Sequence, residues 1–416
     1  MNDRLSLPKD KIRVLLLEGV HESGVQLMKA AGYSNLTRLT KALEGKELLE
    51  AVEGVHILGI RSRTQLTEEV LAAADKLICA GCFSVGTNQV DLDAARRRGV
   101  PIFNAPFSNT RSVAELVIGE IVMMMRRIFP RSVLAHEGGW DKSAENSVEV
   151  RGKTLGIIGY GNIGSQLSNL AEAMGMRVIY FDIVDKLRHG NTEPVATLDE
   201  LLAQSDVVSL HVPETPATFN MIGEDQLKKM KPGSYFINNS RGTVADLEAV
   251  ARSLKSGHLR GAAVDVFPVE PTSNKEKFVS PLQGLDNVIL TPHIGGSTEE
   301  AQERIGAEVA KKLIEYSDVG STLGAVNFPQ VQLPPSQSGT RFIHVHNNVP
   351  GVMNRINNSF SSRGLNICSQ YLQTSGDIGY VVVESDGTSS RQQANDVLED
   401  LRKIDGTIRA RLLYGQ

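Results

Sequence analysis

The sequence predicts an α/β protein made of two consecutive parallel-sheet units and a small α+β unit at its C-terminal end. Three observations predict this class. Short apolar runs alternate with amphipathic stretches through the first 316 residues. A glycine-rich loop, GYGNIG at 159–164, opens the second unit, as such loops open dinucleotide-binding units. After position 339, strand-like and helix-like patterns follow in the order β-α-β-β-α-β of a ferredoxin-like unit.

Length, charge and cysteine usage limit the function classes. A chain of 416 residues holds two or three domains. Its formal net charge of -4 argues against nucleic acid or an anionic membrane as a partner. The most apolar helical stretch, VAELVIGEIVMMM, carries two glutamates and is too short to span a bilayer. The N-terminus lacks the apolar core of a signal peptide, and only three cysteines favour a reducing compartment. We therefore expect a cytoplasmic protein.

The first parallel-sheet unit is predicted from four buried apolar runs, each followed by a polar or amphipathic stretch. The runs are VLLLEG (14–19), VHILGI (55–60), KLICAG (76–81) and VPIFNAP (100–106). A long helix follows in TRSVAELVIGEIVMMMRRI, where apolar residues recur at helical spacing.

The second unit begins at TLGIIGYG and ends before a long amphipathic helix at 298–316. Its further strands are VIYFDI (178–183), DVVSLHV (206–212), SYFINNS (234–240), GAAVDVF (261–267) and NVILTPH (287–293). Beyond the helix, the segment 320–339 is rich in Gly, Pro, Ser and Gln and has no helical period, so we expect a linker there.

The glycine loop has the context that dinucleotide binding requires. A strand precedes it, a helix follows it, and the next strand ends in Asp182, which lies 18 positions after the third glycine. Gly159, Gly161 and Gly164 allow backbone amides to approach a pyrophosphate at the helix N-terminus. Asp182 accepts hydrogen bonds from ribose hydroxyls and repels a 2′-phosphate. The loop therefore predicts NAD rather than NADP.

Three chemical motifs fall at the ends of later strands, where open α/β sheets bind their ligands. INNSRG carries Arg241, AVDVFPVEP carries Asp265 and Glu270, and LTPHIGGST carries His293. Reduction of a 2-keto acid needs a cation for the substrate carboxylate and carbonyl, which an arginine supplies. It also needs a proton donor whose pKa lies near the operating pH, such as histidine. A carboxylate on the far ring nitrogen orients that histidine. Arg241, His293 and Glu270 fill these roles.

These motifs resemble the NAD-dependent D-2-hydroxyacid dehydrogenase family, in particular members with a C-terminal ACT domain. GIRSRTQLT, GTNQVDL, PFSNTRSVAELVIGE, GWDKSA, GIIGYGNIG and RARLLY carry the resemblance, which covers essentially the whole chain. It implies a Rossmann-type NAD domain at 108–297, inserted in a flavodoxin-like substrate-binding domain at 1–107 and 298–337. An ACT regulatory domain would occupy 338–416. The cleft between the two lobes would hold the substrate, with Gly295 and Gly296 as a hinge.

The resemblance also implies a reaction and a set of site residues. Members of this type oxidise 3-phospho-D-glycerate to 3-phosphohydroxypyruvate with NAD, the first step of L-serine synthesis. Arg241, Glu270 and His293 are the implied catalytic residues. The implied cofactor-binding residues are Gly159, Gly161, Asn162, Ile163, Gly164, Asp182, His211, Asn239, Ser240, Arg241, Asp265, His293, Ile294, Gly295 and Gly296. The implied substrate-binding residues are Arg61, Ser62, Arg63, Asn109 and Lys142. Arg61, Ser62 and Arg63 would clamp the substrate phosphate.

The C-terminal unit resembles an ACT domain, a small-molecule sensor that pairs edge to edge between subunits. The resemblance implies that His346 and Asn348 of one subunit bind L-serine together with Asn366 of its neighbour. It further implies self-association through the ACT and NAD domains into a homotetramer. A domain that only dimerises is the alternative for this unit.

Two alternatives stay open for the whole chain, and two minor motifs are set aside. The chain could be a dehydrogenase for another D-2-hydroxy acid, such as 2-hydroxyglutarate, because two arginines do not distinguish phosphate from carboxylate. It could also be a non-enzymatic NAD sensor, since this fold serves in a transcriptional corepressor.

Cys79 and Cys82 end a buried strand and are interpreted as structural. His344 and His346 lack a third ligand, so no metal is assigned.

Overall fold

The computed structural model describes residues 7–271, 276–334, 340–386 and 391–413. They fall into two compact units. Unit 1 comprises Met1–Ser108 and Gln302–Gln416, and unit 2 comprises Asn109–Ala301. Unit 2 corresponds to the NAD domain expected at 108–297, with its start one residue later and its end four residues later. The C-terminal domain is part of unit 1. The roles expected for the three domains stay predictions.

Unit 1 begins with a five-stranded parallel sheet and its helices. These elements are β1 (Val14–Leu16), α1 (Glu22–Ala30), β2 (Leu36–Arg38), α2 (Gly45–Val52), β3 (Ile57–Ile60), α3 (Glu68–Ala73), β4 (Cys79–Cys82), α4 (Leu92–Arg97), β5 (Ile102–Phe103) and, after unit 2, α11 (Glu299–Val319). The strand order β2-β1-β3-β4-β5 is that of a flavodoxin-like sheet, which confirms the predicted class. Helix α11 buries Val309, Leu313 and Tyr316 in the core of this sheet.

Unit 1 ends in a four-stranded antiparallel sheet with two helices. The elements are β13 (Thr340–Asn347), α12 (Val352–Ser361), β14 (Asn366–Ser375), β15 (Ile378–Asp386), α13 (Arg391–Lys403) and β16 (Thr407–Leu412). Their order confirms the predicted β-α-β-β-α-β unit, and the strands lie in the order β14-β15-β13-β16. One face of the sheet packs on the two helices through Phe342 and Val381. The other face, with Ile343 and Val345, joins the core of the parallel sheet.

The segment expected to be a linker is packed instead. Ala325, Phe328, Val331 and Leu333 are buried in the core that the parallel sheet shares with the C-terminal sheet. The prediction was wrong because the segment lacks helical or strand periodicity yet contributes single apolar side chains at irregular spacing. Its last five residues, 335–339, lie outside the described residues.

Unit 2 is a seven-stranded parallel sheet with helices on both faces. Its elements are α5 (Thr110–Met125), α6 (Ile128–His136), β6 (Thr154–Ile158), α7 (Asn162–Ala173), β7 (Arg177–Phe181), β8 (Glu193–Pro194), α8 (Leu198–Gln204), β9 (Val207–Leu210), α9 (Glu224–Lys229), β10 (Ser234–Asn238), α10 (Leu247–Lys255), β11 (Leu259–Val264) and β12 (Val288–Leu290). The order β12-β11-β10-β9-β6-β7-β8 confirms a Rossmann-type sheet. The chain reverses its winding direction between β6 and β9, the switch point at which such sheets bind ligands.

Every strand predicted for the two parallel sheets is present, with ends that differ from the predicted ones by up to three residues. Sequence reasoning missed β2 and β8. Both are edge strands of three residues or fewer, and most of their side chains are exposed, so neither has the apolar run by which a buried strand is recognised. Among the described residues, no helix is both long enough and apolar enough to cross a membrane.

Candidate active site

The glycine loop connects β6 to α7 and lies against the end of β9. Gly159 has φ +92°, and a Cβ built there would lie 2.4 Å from the carbonyl oxygen of His211. A Cβ on Gly164 would lie 2.4 Å from the carbonyl oxygen of Gly159. A Cβ on Gly161, the N-cap of α7, would meet nothing within 4 Å. Two glycines therefore permit close backbone packing, and the third leaves the N-terminus of α7 open to an anion.

Asp182 is held in place by the glycine loop itself. Its Oδ2 accepts a hydrogen bond of 2.8 Å from the backbone N–H of Tyr160, and its Oδ1 accepts one of 3.0 Å from Val184. Each oxygen keeps a further lone pair, because a carboxylate oxygen has two. The structure therefore places the acidic residue beside the loop, as its spacing in the sequence predicts.

His211 and Asn239 directly follow strands β9 and β10, and each has a buried polar atom without a hydrogen-bond partner among the described residues. His211 Nε2 lies 2.8 Å from Ser209 Oγ, whereas its Nδ1 is buried and has no hydrogen-bond partner among the described residues. Burial lowers the pKa of His211 to about 3, so the ring is neutral. The side-chain oxygen of Asn239 is also buried and unpaired within the described part of the chain. These atoms are available to a bound ligand.

Asp265 organises the backbone that carries His293. Its Oδ1 accepts from Thr291 Oγ1 at 2.6 Å and from the N–H of Ile294 at 2.8 Å, and its Oδ2 accepts from the N–H of Gly295 at 2.8 Å. The His293 N–H donates to the Asp265 carbonyl oxygen at 2.8 Å. His293 has φ +54°, a left-handed conformation that costs about 1 kcal/mol or more in a non-glycine residue. The hydrogen bonds that Asp265 accepts stabilise this conformation.

His293 and Glu270 form a hydrogen-bonded pair. The Nδ1–H of His293 donates to the two carboxylate oxygens of Glu270, at 2.8 and 3.1 Å. The hydrogen bond to Glu270 raises the pKa of His293, although burial opposes the shift. Burial raises the pKa of Glu270, but the hydrogen bond and charge of His293 outweigh it, so the net pKa is lowered. The geometry leaves Nε2 of His293 as the ring nitrogen that can exchange a proton with a ligand.

Arg241 follows β10 in a turn that packs closely on the segment before Glu270. A Cβ on the next residue, Gly242, would lie 2.0 Å from the carbonyl carbon of Phe267. The Nδ2 of Asn238 donates to the Arg241 carbonyl oxygen at 3.0 Å, and Arg241 Nη1 donates to that of Ser240 at 2.7 Å. The positive charge of Arg241 is a minor contributor that lowers the pKa of both Glu270 and His293. The structure thus places Arg241, Glu270, His293 and Asp265 at one edge of the sheet.

Glu120 belongs to this edge and was missed as a site residue. It projects from α5, is 1% exposed, and accepts a hydrogen bond of 2.9 Å from Asn239 Nδ2. Burial raises the pKa of Glu120 to about 8. Its signal was present in the sequence, because Glu120 lies three residues after Val117, on the apolar stripe of an amphipathic helix. A carboxyl group on a buried stripe needs a polar partner.

Asn109 lies at the N-terminal end of α5, beside the segment that follows His293. A Cβ on Gly296 would lie 2.4 Å from Asn109 Nδ2. Gly295 and Gly296 therefore allow close approaches to Asp265 and Asn109, and their expected role as a hinge stays a prediction. Lys142 is exposed in the loop after α6. Its expected contact with a neighbouring subunit also stays a prediction.

The expected phosphate and effector residues belong to unit 1. Arg61 is half-buried, and Ser62 and Arg63 are exposed, in the loop after β3. In the C-terminal sheet, His346 pairs with Gly379 and Asn366 with Asp386, on the same strand β15. The seven-residue offset corresponds to about 23 Å. The structure therefore does not bring His346 and Asn366 of one chain together.

The cysteine pair and the histidine pair that were set aside as functional motifs are both buried. Cys79 and Cys82 are free thiols on the buried strand β4, and burial raises the pKa of both to about 12, so they are unreactive. His344 and His346 lie on one face with their Nδ1 atoms 3.2 Å apart. Within the described part of the chain, no group of three or more His, Cys, Asp or Glu could hold a metal ion.

Two segments match known protein families. Residues 118–295 match the family described as D-isomer specific 2-hydroxyacid dehydrogenase, NAD binding domain. Residues 342–409 match the family described as AHAS small subunit-like ACT domain. The first match contains the glycine loop and the edge with Arg241, Glu270 and His293.

The chain also resembles characterised proteins along its length. It is 56% identical to D-3-phosphoglycerate dehydrogenase of Haemophilus influenzae over 100% of both chains. It is 46% identical to the Dictyostelium discoideum protein of that name, again over 100% of both. Among solved structures, D-lactate dehydrogenase from Aquifex aeolicus, complexed with NAD and lactic acid, has a TM-score of 0.64 at 30% identity and covers 73% of this chain and 95% of its own. D-2-hydroxyisocaproate dehydrogenase has a TM-score of 0.68 at 26% identity, covering 76% of this chain and 100% of its own.

Proposed function

The chain belongs to the D-3-phosphoglycerate dehydrogenases, within the D-isomer-specific 2-hydroxyacid dehydrogenase family, and on that premise we propose that it oxidises 3-phospho-D-glycerate to 3-phosphohydroxypyruvate. The observation that carries the proposal is the pair of His293 and Glu270, with a hydrogen bond of 2.8 Å, at the sheet edge that also carries Arg241. This is a proton-transfer group beside an anion-binding group in a nucleotide-binding domain.

NAD is the cofactor, and the residues of unit 2 fit it. The open N-terminus of α7 at Gly161 suits the pyrophosphate. Asp182 keeps lone pairs for the ribose hydroxyls. The unpaired atoms of His211 and Asn239 are polar groups that a bound nucleotide can satisfy. When bound, NAD accepts the hydride from C2 of the hydroxy acid.

His293 moves the proton of the reaction. In the oxidative direction its Nε2 accepts the proton of the C2 hydroxyl, and in the reductive direction it returns that proton to the keto oxygen. Glu270 stabilises the imidazolium that forms and holds Nδ1–H, so that Nε2 faces the substrate. Arg241 binds the carboxylate next to C2 through its fork of N–H donors.

Substrate and effector specificity come from groups outside this edge. Arg61, Ser62 and Arg63 bind the phosphate in our proposal, and Asn109 and Lys142 contribute further substrate contacts. L-serine binds at His346 and Asn348 of one subunit and Asn366 of another. His346 and Asn366 of one chain lie about 23 Å apart, at opposite ends of the sheet, which supports a site shared by two subunits. When two such sheets pair edge to edge in opposite directions, the His346 end of one lies beside the Asn366 end of the other. The assembly in our proposal is a homotetramer, in the reducing cytoplasm that the free thiols fit.

The test is the initial rate of NADH oxidation with 3-phosphohydroxypyruvate, repeated over a titration of L-serine. A high rate that falls as serine is added supports both the substrate and the effector. A high rate that ignores serine supports the enzyme and refutes the effector. No rate, with NADH still bound, refutes the proposed substrate, and 2-ketoglutarate is then tested as the substrate.

A matched variant separates catalysis from binding. The His293→Asn variant removes the group that exchanges the proton but keeps a side chain that can hydrogen-bond to Glu270. We expect loss of turnover by a factor of about 100 or more, with the dissociation constant for NADH changed by less than about threefold. Retained turnover would refute the role of His293.

A further inference from the structure

The carboxyl group of Glu18 binds the backbone of the loop that carries the two arginines of unit 1. Its Oε1 accepts hydrogen bonds from the N–H of Arg61 at 3.1 Å and of Thr64 at 2.9 Å. Its Oε2 accepts from the N–H of Arg63 at 3.0 Å. Three of the four backbone amides in the segment 61–64 therefore converge on one side chain, which comes from the end of a different strand.

Glu18 is buried, whereas Arg63, one of the residues whose backbone amide it binds, is exposed. The Glu18 side chain is 2% exposed, and that of Arg63 is 56% exposed. A buried carboxylate is costly unless it is hydrogen-bonded, and here three amides supply those bonds. The guanidinium of Arg63 lies 3.9 Å from Glu18 Oε2, which is too far for a hydrogen bond. Arg63 therefore keeps its donors for a ligand.

The backbone of Glu18 has an unusual conformation. Its φ is +60°, and that of Gly19 is +66°. A left-handed conformation is unfavourable in a residue with a side chain, and such residues concentrate at functional sites. Glu18 follows β1, and its N–H donates to the Lys41 carbonyl oxygen at 3.1 Å. This geometry directs the carboxyl group toward the end of the neighbouring strand β3.

Two glutamines complete the support of Arg61. Gln89 Nε2 donates to the Arg61 carbonyl oxygen, and Arg61 Nη2 donates to Gln302 Oε1 at 2.6 Å. Arg61 Nη1 is also 3.5 Å from the carbonyl oxygen of Glu18. The loop is thus held at its backbone amides, at a carbonyl and at one guanidinium.

We propose that Glu18 is the positioning residue of the phosphate-binding loop, and that it presents the guanidinium groups of Arg61 and Arg63 to the phosphate of the substrate. This inference rests on the proposed function, because it takes the ligand of the two arginines to be that phosphate. The proposed effect of Glu18 on phosphate binding is opposite to the effect of its charge alone. The negative charge of Glu18 repels the phosphate and would weaken binding, whereas its positioning of the two arginines strengthens binding.

The test is the variant Glu18→Gln, compared with wild type on two substrates. Glutamine keeps one oxygen acceptor, which can still bind the amides of Arg61 and Thr64. Its NH2 group then faces the N–H of Arg63, and because both groups are donors, that hydrogen bond is lost. Initial rates are measured with 3-phosphohydroxypyruvate and with hydroxypyruvate, which lacks the phosphate. We expect KM for the phosphorylated substrate to rise about tenfold or more, as for loss of a hydrogen bond to a charged group. We expect kcat, and both constants for hydroxypyruvate, to change by less than about twofold.

Two controls keep the result interpretable. Glu22→Gln is the same substitution at an exposed residue four positions along the chain, paired with Arg38, and should behave as wild type. Glu18→Asp keeps the charge on a shorter side chain and replaces Glu18→Gln in the test if that variant does not fold. We expect Glu18→Asp to show the same loss of preference for the phosphorylated substrate. An unchanged or lower KM for the phosphorylated substrate, or an equal loss on both substrates, would overturn the inference. A wild-type enzyme with no preference for the phosphorylated substrate would instead refute the proposed function, before any variant is measured.

Discussion

Replacement of Glu270 by glutamine tests the proton-transfer pair directly. The carboxylate of Glu270 lies 2.8 Å from Nδ1 of His293, and the hydrogen bond between them is the largest cause of the raised pKa of His293. Glutamine has nearly the same shape but no charge. The substitution therefore removes the stabilisation of the imidazolium with little change in packing.

The size of the effect follows from distance and exposure. A hydrogen bond to a charged group contributes about 1.5–3 kcal/mol. The side chains of His293 and Glu270 are 50% and 36% exposed, so solvent screening reduces this contribution to about 1–1.5 kcal/mol. We therefore expect the Glu270→Gln substitution to destabilise the imidazolium of His293 by this amount, and the pKa of His293 to fall.

The sign of the pH dependence differs between the two reaction directions. Reduction requires protonated His293, so its rate declines as the pH rises through the raised pKa of His293, and in the variant this decline occurs at lower pH. Oxidation requires neutral His293, so its rate rises through the same pKa, and this rise also moves to lower pH. At neutral pH the variant therefore loses more activity in reduction than in oxidation.

The assay is the pH profile of kcat/KM in both directions, which reports the ionisations of the free enzyme and free substrate. The control is Glu224→Gln in the same unit, since Glu224 pairs with Lys228 and Arg252 at the surface. Its profiles should overlay those of the wild type. A Glu270→Gln enzyme whose profiles keep the wild-type midpoint would refute the assignment of Glu270 as the partner that raises the pKa of His293.

Two further predictions concern the cofactor and the C-terminal sheet. In the variant Asp182→Ser, KM for NAD should rise about tenfold or more because the ribose loses a charged acceptor, and the preference for NAD over NADP should fall; an unchanged ratio of kcat/KM for the two cofactors would contradict this. Arg341 and Glu384 form a buried pair at 3.3 Å, with side chains 1% and 9% exposed. Arg341→Met should destabilise the protein by about 3 kcal/mol in urea unfolding, because it removes one partner of a buried ion pair. The double variant Arg341→Met with Glu384→Leu should recover most of that loss, and no recovery would contradict the reasoning.

Local patterns explain why so much of the fold could be predicted from sequence. The strands of the parallel sheets are buried on both faces, so each appears as a continuous apolar run. The glycine loop is recognisable because Gly159 and Gly164 permit backbone contacts that a Cβ would block. The residues Arg241, Glu270 and His293 follow strand ends, and parallel strands bring such ends to one edge of a sheet.

Longer-range contacts explain what sequence reasoning missed. Glu120 reaches Asn239 across 119 residues, and Glu18 reaches the amides of Arg61, Arg63 and Thr64 across more than 40. Neither partner is implied by the residues that surround the glutamate. The segment 320–339 was interpreted as a linker because its apolar residues follow no period; in its described part, 320–334, several of them are buried.

The amino-acid sequence by itself determined the fold class, the order of the elements, the nucleotide loop and the positions of the residues that we propose for proton transfer. Each of these depends on spacing within one segment, and spacing is visible along the chain. The tertiary structure alone decided which side chains support those residues: Glu120 beside Asn239, Asp265 beneath the backbone of His293, and Glu18 under the arginine loop. The physical reason is that a buried polar group must find a hydrogen-bond partner in three dimensions, and folding brings that partner from a distant part of the chain.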